Sequence, residues 1–362
     1  MRSLRLLADD LTGALDTSAE FVGAFGPIDV VWSPAPLAAG EQSLASDSGT
    51  RELASGEAFA ILRKLAPLLD GAGIAFKKID SLLRGPWVAE LDACLKAGKW
   101  DACIVAPAFP HQGRVTRSGK QFSRTLDGHW TAVGDDILRR LRDRGLEARI
   151  AGLAAPLEKG INVFDAETDA DLDRVADIGR TFKSRLLWCG SGGLATALAR
   201  GADAAVSARL TTPVLGVFGS DHPATAAQLA RCGRVVIRSA DIGSDIDQIG
   251  RALDRGVVFV QLKTAGALSR SEAASRFSQE IALLSRAIDP PRTVVVAGGE
   301  TLKAQMLAVG ASALHVLGRL EPGLPKSVIR GGRWAGVDVI SKSGAFGPPD
   351  LWSKLLKRNG LT

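Results

Sequence analysis

A chain of 362 residues, 46% of them hydrophobic, can bury a large core, more comfortably as two domains than as one. Its formal charge of +6 is spread without a basic tract or an aromatic-interleaved patch, which argues against nucleic acid and suits a small anionic ligand. Four cysteines without a CxxC pair and four scattered histidines argue against a disulfide framework and a zinc site, and no apolar run approaches the roughly 20 residues a bilayer demands, so a cytoplasmic protein with no membrane partner is expected.

The first predicted element is the apolar run LRLLA (4–8), a strand that ends in two adjacent carboxylates, Asp9 and Asp10, and passes at once into a helix. On extended backbone the two side chains diverge, one toward a crevice and one sideways. Thr12 then either caps the helix or offers its hydroxyl to a ligand. Strands follow at IDVVW (28–32) and IAFKKI (74–79), with the helical stretch GEAFAILRKLAPLLDG (56–71) between them. From the end of the second of these, Lys78, Asp80, Ser81 and Arg84 fall within seven residues. Arg84 offers a planar fork and Lys78 a point charge for a carboxylate, while Asp80 and Ser81 suit sugar hydroxyls; the alternative is a plain ion pair between Asp80 and Arg84.

ACIVAP (102–107) is a further strand, followed by the turn-rich region 111–135, predicted as a long loop or irregular hairpin of the kind that often carries function. Within it GRVTRSGKQ (113–121) has the wrong spacing for a P-loop, with Gln121 where a hydroxyl is needed. INVFDA and RLLWCG are strands around the helix ADLDRVADIGRTFKS (170–184), and the small-residue stretch 199–213 reads as a linker. The predicted domains are therefore 1–206 and 207–362.

The second domain repeats the alternation: strands VLGVFGS, RVVIRS, VVFVQLK and TVVVAGG, with helices ATAAQLARCG, DIDQIGRALDRG and SEAASRFSQEIALLSRA between them. The fold class is α/β, two α/β domains with mainly parallel sheets and an active-site cleft between them. Three strand-to-helix turns, CGSGGLATAL, VFGSDHPAT with Ser220, and AGGETLKAQM, carry glycines and hydroxyls that suit an anion at a helix start. Capping by Ser191 and Thr301 accounts for two of them equally well. Glu300 is either a magnesium neighbour or a first-turn carboxylate favoured by the helix dipole. Trp32, Trp87, Trp100, Trp188 and Met306 read as packing.

The blocks ADDLTGALDT, KIDSLLRG, PAFPHQGRVT, GSGGLA, AGGET, EPGLPKSVI and SKSGAFGPPDLW run collinearly along nearly the whole chain. In that order they resemble the signatures of the four-carbon acid sugar kinases. DSGTREL (47–53) loosely resembles a further DSR-type segment, which gives Arg51 a binding role. The resemblance implies a sugar-acid-binding N-terminal domain, a nucleotide-binding C-terminal domain, and ATP with Mg2+ as cofactors. Asp10, with Asp9, would sit at the reacting hydroxyl. Thr12, Arg51, Lys78, Asp80, Ser81 and Arg84 would hold the acid. Ser220, Gly298, Gly299, Glu300, Thr301 and Gly344 would line the ATP site. Leu82, Pro86, Gly192 and Ala345 depart from the usual residues of their blocks, and bear on which acid is used. A non-catalytic nucleotide or sugar-acid binder on the same scaffold is the alternative, and assembly into a homo-oligomer is left open.

Overall fold

The strand LRLLA is buried along its full length, as a central strand covered on both faces requires, and its neighbours in the sheet are parallel to it. The computed structural model describes residues 3–32, 42–125, 127–219, 222–263 and 269–362. It divides into two compact units, Met1–Asp203 and Ala204–Thr362.

In the first unit the strands are β1 (Leu4–Ala8), β2 (Ile28–Val31), β3 (Leu44–Asp47), β4 (Ile74–Lys78), β5 (Ala102–Ala106), β6 (Arg114–Arg117), β7 (Lys120–Arg124), β8 (Trp130–Ala132), β9 (Ala148–Ala151), β10 (Gly160–Phe164) and β11 (Leu186–Gly190). The helices are α1 (Leu11–Phe25), α2 (Ser55–Leu65), α3 (Trp87–Ala97), α4 (Ile137–Arg142), α5 (Asp169–Thr181) and α6 (Gly192–Leu198). The main sheet runs β2-β3-β1-β4-β11-β5-β10-β9, with every pair parallel. One core cluster gathers Leu7, Ile79, Trp87, Leu91, Val105 and Leu187. Cys94, Cys103 and Cys189 lie buried in the same cluster as free thiols.

Region 111–135 takes the hairpin alternative of the two expected, extended by a third strand: β6, β7 and β8 form a separate antiparallel sheet. Gln121, the residue that disqualified a P-loop, is buried there; its amide donates to the carbonyls of Ser81 at 2.8 Å and Pro107 at 3.3 Å, and its carbonyl accepts from Thr116 at 2.7 Å.

The second unit has strands β12 (Val214–Phe218), β13 (Val236–Ser239), β14 (Val257–Leu262), β15 (Thr293–Ala297), β16 (Ala313–Glu321), β17 (Leu324–Arg330) and β18 (Asp338–Lys342). Its helices are α7 (Pro223–Ala230), α8 (Ile242–Asp254), α9 (Arg270–Ala287), α10 (Gly299–Ala308) and α11 (Leu351–Arg358). The order within this unit is β13-β14-β12-β15-β18-β17-β16, parallel as far as β18 and antiparallel beyond it. Phe218, Phe259 and Trp352 pack edge to face or tilted at its centre. Cys232, just past α7, is only partly buried.

Of the residues read as packing, Trp32, Trp87, Trp188 and Met306 are buried, and Trp100, partly exposed, donates its indole N–H to the Cys94 carbonyl at 3.0 Å. Among the described residues no helix is long and apolar enough to cross a membrane.

Candidate active site

In the first unit the chain leaves β1 for β2 and β3 on one flank and returns to β4 on the other. The carboxyl ends of β1, β3 and β4 therefore border a topological switch point, where open α/β sheets take their ligands. These three ends carry Asp9–Asp10, Asp47–Arg51 and Asp80–Arg84.

Asp10 is the N-cap of α1, accepting the Gly13 N–H at 2.9 Å on Oδ1 and the Thr12 hydroxyl at 2.5 Å on Oδ2. Thr12 thus supports the cap and is not itself the cap. Gly13 is required by this close approach: a Cβ there would stand 2.5 Å from Asp10 Oδ1 and 3.2 Å from Lys78 Nζ.

Arg51 joins the acids. Its Nε and Nη2 clasp both oxygens of Asp9 at 2.7 and 2.8 Å, Nη2 also lies 2.8 Å from Asp10 Oδ1, and Asp80 stands 4.0 Å away. The backbone N–H groups of Thr50 and Arg51 donate to the Asp9 carbonyl at 3.1 and 3.3 Å, so the segment after β3 is clipped onto the acid pair. Asp9 is fully buried; burial works to raise its pKa, but Arg51, with the fields of Lys77 and Lys78, outweighs that and holds the carboxyl below the ordinary range. Burial likewise works to lower the Arg51 guanidinium, and Asp10, Asp9 and Asp80 together drive it up instead. This is how two adjacent like charges are tolerated: one fork bridges both, and the ammonium groups of Lys77 and Lys78 add positive field at Asp9.

Asp80 sits in a tight turn in which Leu83 takes a left-handed φ of 53°. The turn lets Asp80 Oδ2 accept the N–H groups of Leu82 and Arg84 at 3.2 and 3.3 Å, while the Arg84 side chain clasps both oxygens at 2.8 Å. Burial works to raise this carboxyl too, and Arg84, Arg51 and Lys78 hold it well below the usual value. The Arg84 fork is thus turned onto Asp80, the ion pair that the spacing also allowed. Lys78 is buried, donating to the Ile79 carbonyl at 3.0 Å, and Ser81 is partly exposed in the same turn.

Beneath them lies a group that sequence reasoning missed. Lys77 and Glu90 are fully buried and paired at 2.8 Å, Glu90 also accepts the Thr50 hydroxyl at 2.5 Å, and burial notwithstanding, Glu90 and Asp9 push the Lys77 ammonium up to about 12. Its signal was a carboxylate inside an otherwise apolar helix face, WVAEL.

In the second unit Gly298 is the N-cap of α10 and donates its N–H to the Lys342 carbonyl at 2.9 Å, which brings the ends of β15 and β18 together. Gly299, Glu300 and Thr301 form the first turn of α10, with Thr301 buried, so Gly298 takes the cap position that the capping alternative gave to Thr301. The Gly344 carbonyl accepts from Thr225 Oγ1 at 2.9 Å and from Lys342 Nζ at 3.2 Å. Gln228 donates to the carbonyls of Phe346, Gly347 and Pro348 at 3.0, 3.0 and 3.1 Å, holding the loop that follows. Ser220 lies outside the described residues. Ser191 in the first unit caps α6 and donates to the Ala108 carbonyl at 2.6 Å, which is the capping alternative for that turn.

Lys342 is the second group missed. It is buried, donates to the Ser343 and Gly344 carbonyls at 2.9 and 3.2 Å and lies over the Trp352 ring at 6.0 Å, and burial pulls its ammonium down to about 7. Among the described residues it makes no ion pair. No group of three carboxylate, histidine or cysteine side chains that could hold a metal occurs among the described residues. A magnesium ion carried on phosphates needs only one or two carboxylates, and Glu300 at the start of α10 is of that kind.

The chain matches a sugar-binding N-terminal domain over residues 4–138 and 131–198 and a nucleotide-binding C-terminal domain over 215–351. It is 31% identical to a D-threonate kinase of Bordetella bronchiseptica, over 96% of this chain and 95% of that one, and 30% identical to a D-threonate kinase of Cupriavidus necator, over 94% of each. A 3-oxo-tetronate kinase of Pseudomonas savastanoi is 27% identical over 98% of this chain and 97% of its own. A crystal structure from Salmonella typhimurium LT2 shares the fold at a TM-score of 0.77 and 20% identity, covering 99% of this chain and all of that one. The collinear blocks, the two matched domains and relatives aligned along nearly its full length make this chain a member of the four-carbon acid sugar kinase family, and a sugar acid kinase.

Proposed function

We propose that this kinase transfers the γ-phosphoryl group of ATP to a terminal hydroxyl of a four-carbon acid of the threonate, erythronate or 3-oxo-tetronate type. The first unit binds the acid and the second the nucleotide. The observation that carries this reading is the asymmetry of the acid pair. Asp9 is buried and clasped on both oxygens by Arg51, whereas Asp10 stays partly exposed, fixed from behind by Gly13, Thr12 and Arg51.

Asp10 accepts the hydroxyl proton as the substrate oxygen attacks the γ-phosphorus and the bond to the bridging oxygen breaks, releasing ADP. Asp9 acts through Arg51, holding its fork against Asp10. Lys78, Asp80, Ser81 and Arg84 surround the acid, with Asp80 and Ser81 facing its hydroxyls. The N–H groups at the start of α10, from Gly299 to Thr301, receive phosphate oxygens, with Gly298, Ser220 and Gly344 lining the nucleotide and Lys342 supplying positive charge beside Gly298. Glu300, in the first turn of α10, would hold magnesium carried on the phosphates, and the ion when bound would supply positive charge against that developing in transfer.

A coupled ADP-release assay across threonate, erythronate and 3-oxo-tetronate stereoisomers tests the reading. Asp10→Asn is expected to cut kcat by about 100-fold or more while nucleotide affinity stays as in the wild type. Unchanged turnover in that variant removes Asp10 as the base.

A further inference from the structure

An acid substrate needs a cation that is not already spent on the protein's own carboxylates. Four cations act on Asp80 or are acted on by it: Arg84, Arg51, Lys78 and Arg114. Arg84 is clasped by Asp80 and Arg51 by Asp9 and Asp10. Lys78 gives one hydrogen bond to the Ile79 carbonyl. Arg114 makes no ion pair among the described residues, and its Nε–H is buried without any hydrogen-bond partner. One Nη donates to the Gln112 carbonyl. Arg114 as a whole is only half-buried, so the guanidinium remains within reach of a ligand, while an N–H withdrawn from water and left open is costly and calls for an acceptor.

Its position is built. Arg114 opens β6, and exchanges backbone hydrogen bonds with Phe109 at 2.8 and 3.1 Å, directly after the carboxyl end of β5. From the neighbouring strand β7, Gln121 ties this hairpin to the Ser81 carbonyl, within the Asp80–Arg84 turn. The guanidinium is therefore held at the same sheet end as the acid pair, by a separate support.

We propose that Arg114 binds the carboxylate of the sugar acid, through the planar fork that includes its open Nε–H, and so selects acids over neutral polyols. This rests on the function proposed above. Carboxylate oxygens accept from Nε and an Nη in parallel, the bidentate geometry that arginine provides and lysine does not. Burial already depresses the basicity of this guanidinium, in keeping with a charge that lacks its counter-ion, and Asp80 only partly offsets that effect.

The test compares wild type with Arg114→Gln and Arg114→Lys on the best tetronate and on the carboxamide of the same acid, with melting temperatures as a check on folding. Arg114→Gln is expected to raise KM for the acid by roughly 10- to 100-fold, with kcat changed far less and KM for ATP unchanged. Arg114→Lys falls in between, and the carboxamide is used equally by all three proteins. An unchanged KM for the acid in both variants, or an equal loss on acid and carboxamide, overturns the assignment. Wild-type turnover on the tetronates is the separate measure of the function: if no tetronate is phosphorylated, that reading fails and this inference goes with it.

Discussion

At the scale of single residues, the site is organised around one arginine and one glycine. Arg51 makes the neighbouring acids compatible, and Gly13 lets Asp10 fold back onto the start of its own helix. Gly13→Ala forces a methyl group to within 2.5 Å of Asp10 Oδ1, so the carboxylate must move. The expected result is a fall in kcat of about 100-fold with nucleotide affinity retained, measured by steady-state kinetics and a nucleotide titration. Asp9 and Asp10 are conspicuous in the sequence because a buried strand has no local use for them. Their partner is not, since Arg51 lies some forty positions away and only the β1–β3 pairing brings it alongside. Arg114 was hidden for a related reason: its motif block was legible, but an N–H left open becomes visible only once every neighbour is in place.

At the scale of elements, β4 and α3 are joined through Lys77 and Glu90, whose charges are withdrawn from water. Lys77→Met alone leaves Glu90 buried without its counter-charge and is expected to cost about 3–5 kcal/mol, whereas Lys77→Met combined with Glu90→Leu recovers most of that loss. Denaturant unfolding of the single and double variants checks this. The same pair explains what was hard to read. The buried parallel strands β5, β11 and β12 announce themselves as unbroken apolar runs, and β1 and β15 as runs with a single polar residue, Arg5 and Thr293. Helix α3 was passed over because Glu90 and Asp92 interrupt its apolar face, and both are buried through ion pairs with residues outside the helix, Lys77 and Arg144. Strand β3, LASD, is too short and too polar to stand out, and it borrows its order from β1 and β2. The antiparallel strands β16 and β17 alternate buried and half-buried residues along much of their length, a weaker signal than a continuous run.

At the scale of the whole molecule, charge placement sets how stability follows pH. Lys342 is buried with two carbonyls and, among the described residues, no carboxylate partner, and its ammonium is pulled down to about 7. Its charged form therefore weighs against the folded chain fully below pH 7, and the penalty fades as pH climbs toward the ordinary lysine value near ~10.4. Relative to Lys342→Met, wild type is expected to gain stability between pH 7 and 10, with a limiting slope of about 1.4 kcal/mol per pH unit. Melting curves of both proteins across that range check the sign; a difference that does not change with pH refutes it. The thiols respond to their surroundings in a graded way that has a practical use. Burial pushes Cys94 and Cys189 up to about 12 and Cys103 well beyond its ordinary value, while Cys232, only partly buried, reaches about 11. Cys232 is the one thiol of the four that is not buried, which makes it the address for a maleimide dye at alkaline pH, one helical turn from the glutamine that grips residues 346–348. Fluorescence from that address would follow the loop beside Gly344 as nucleotide arrives, with no engineered cysteine needed.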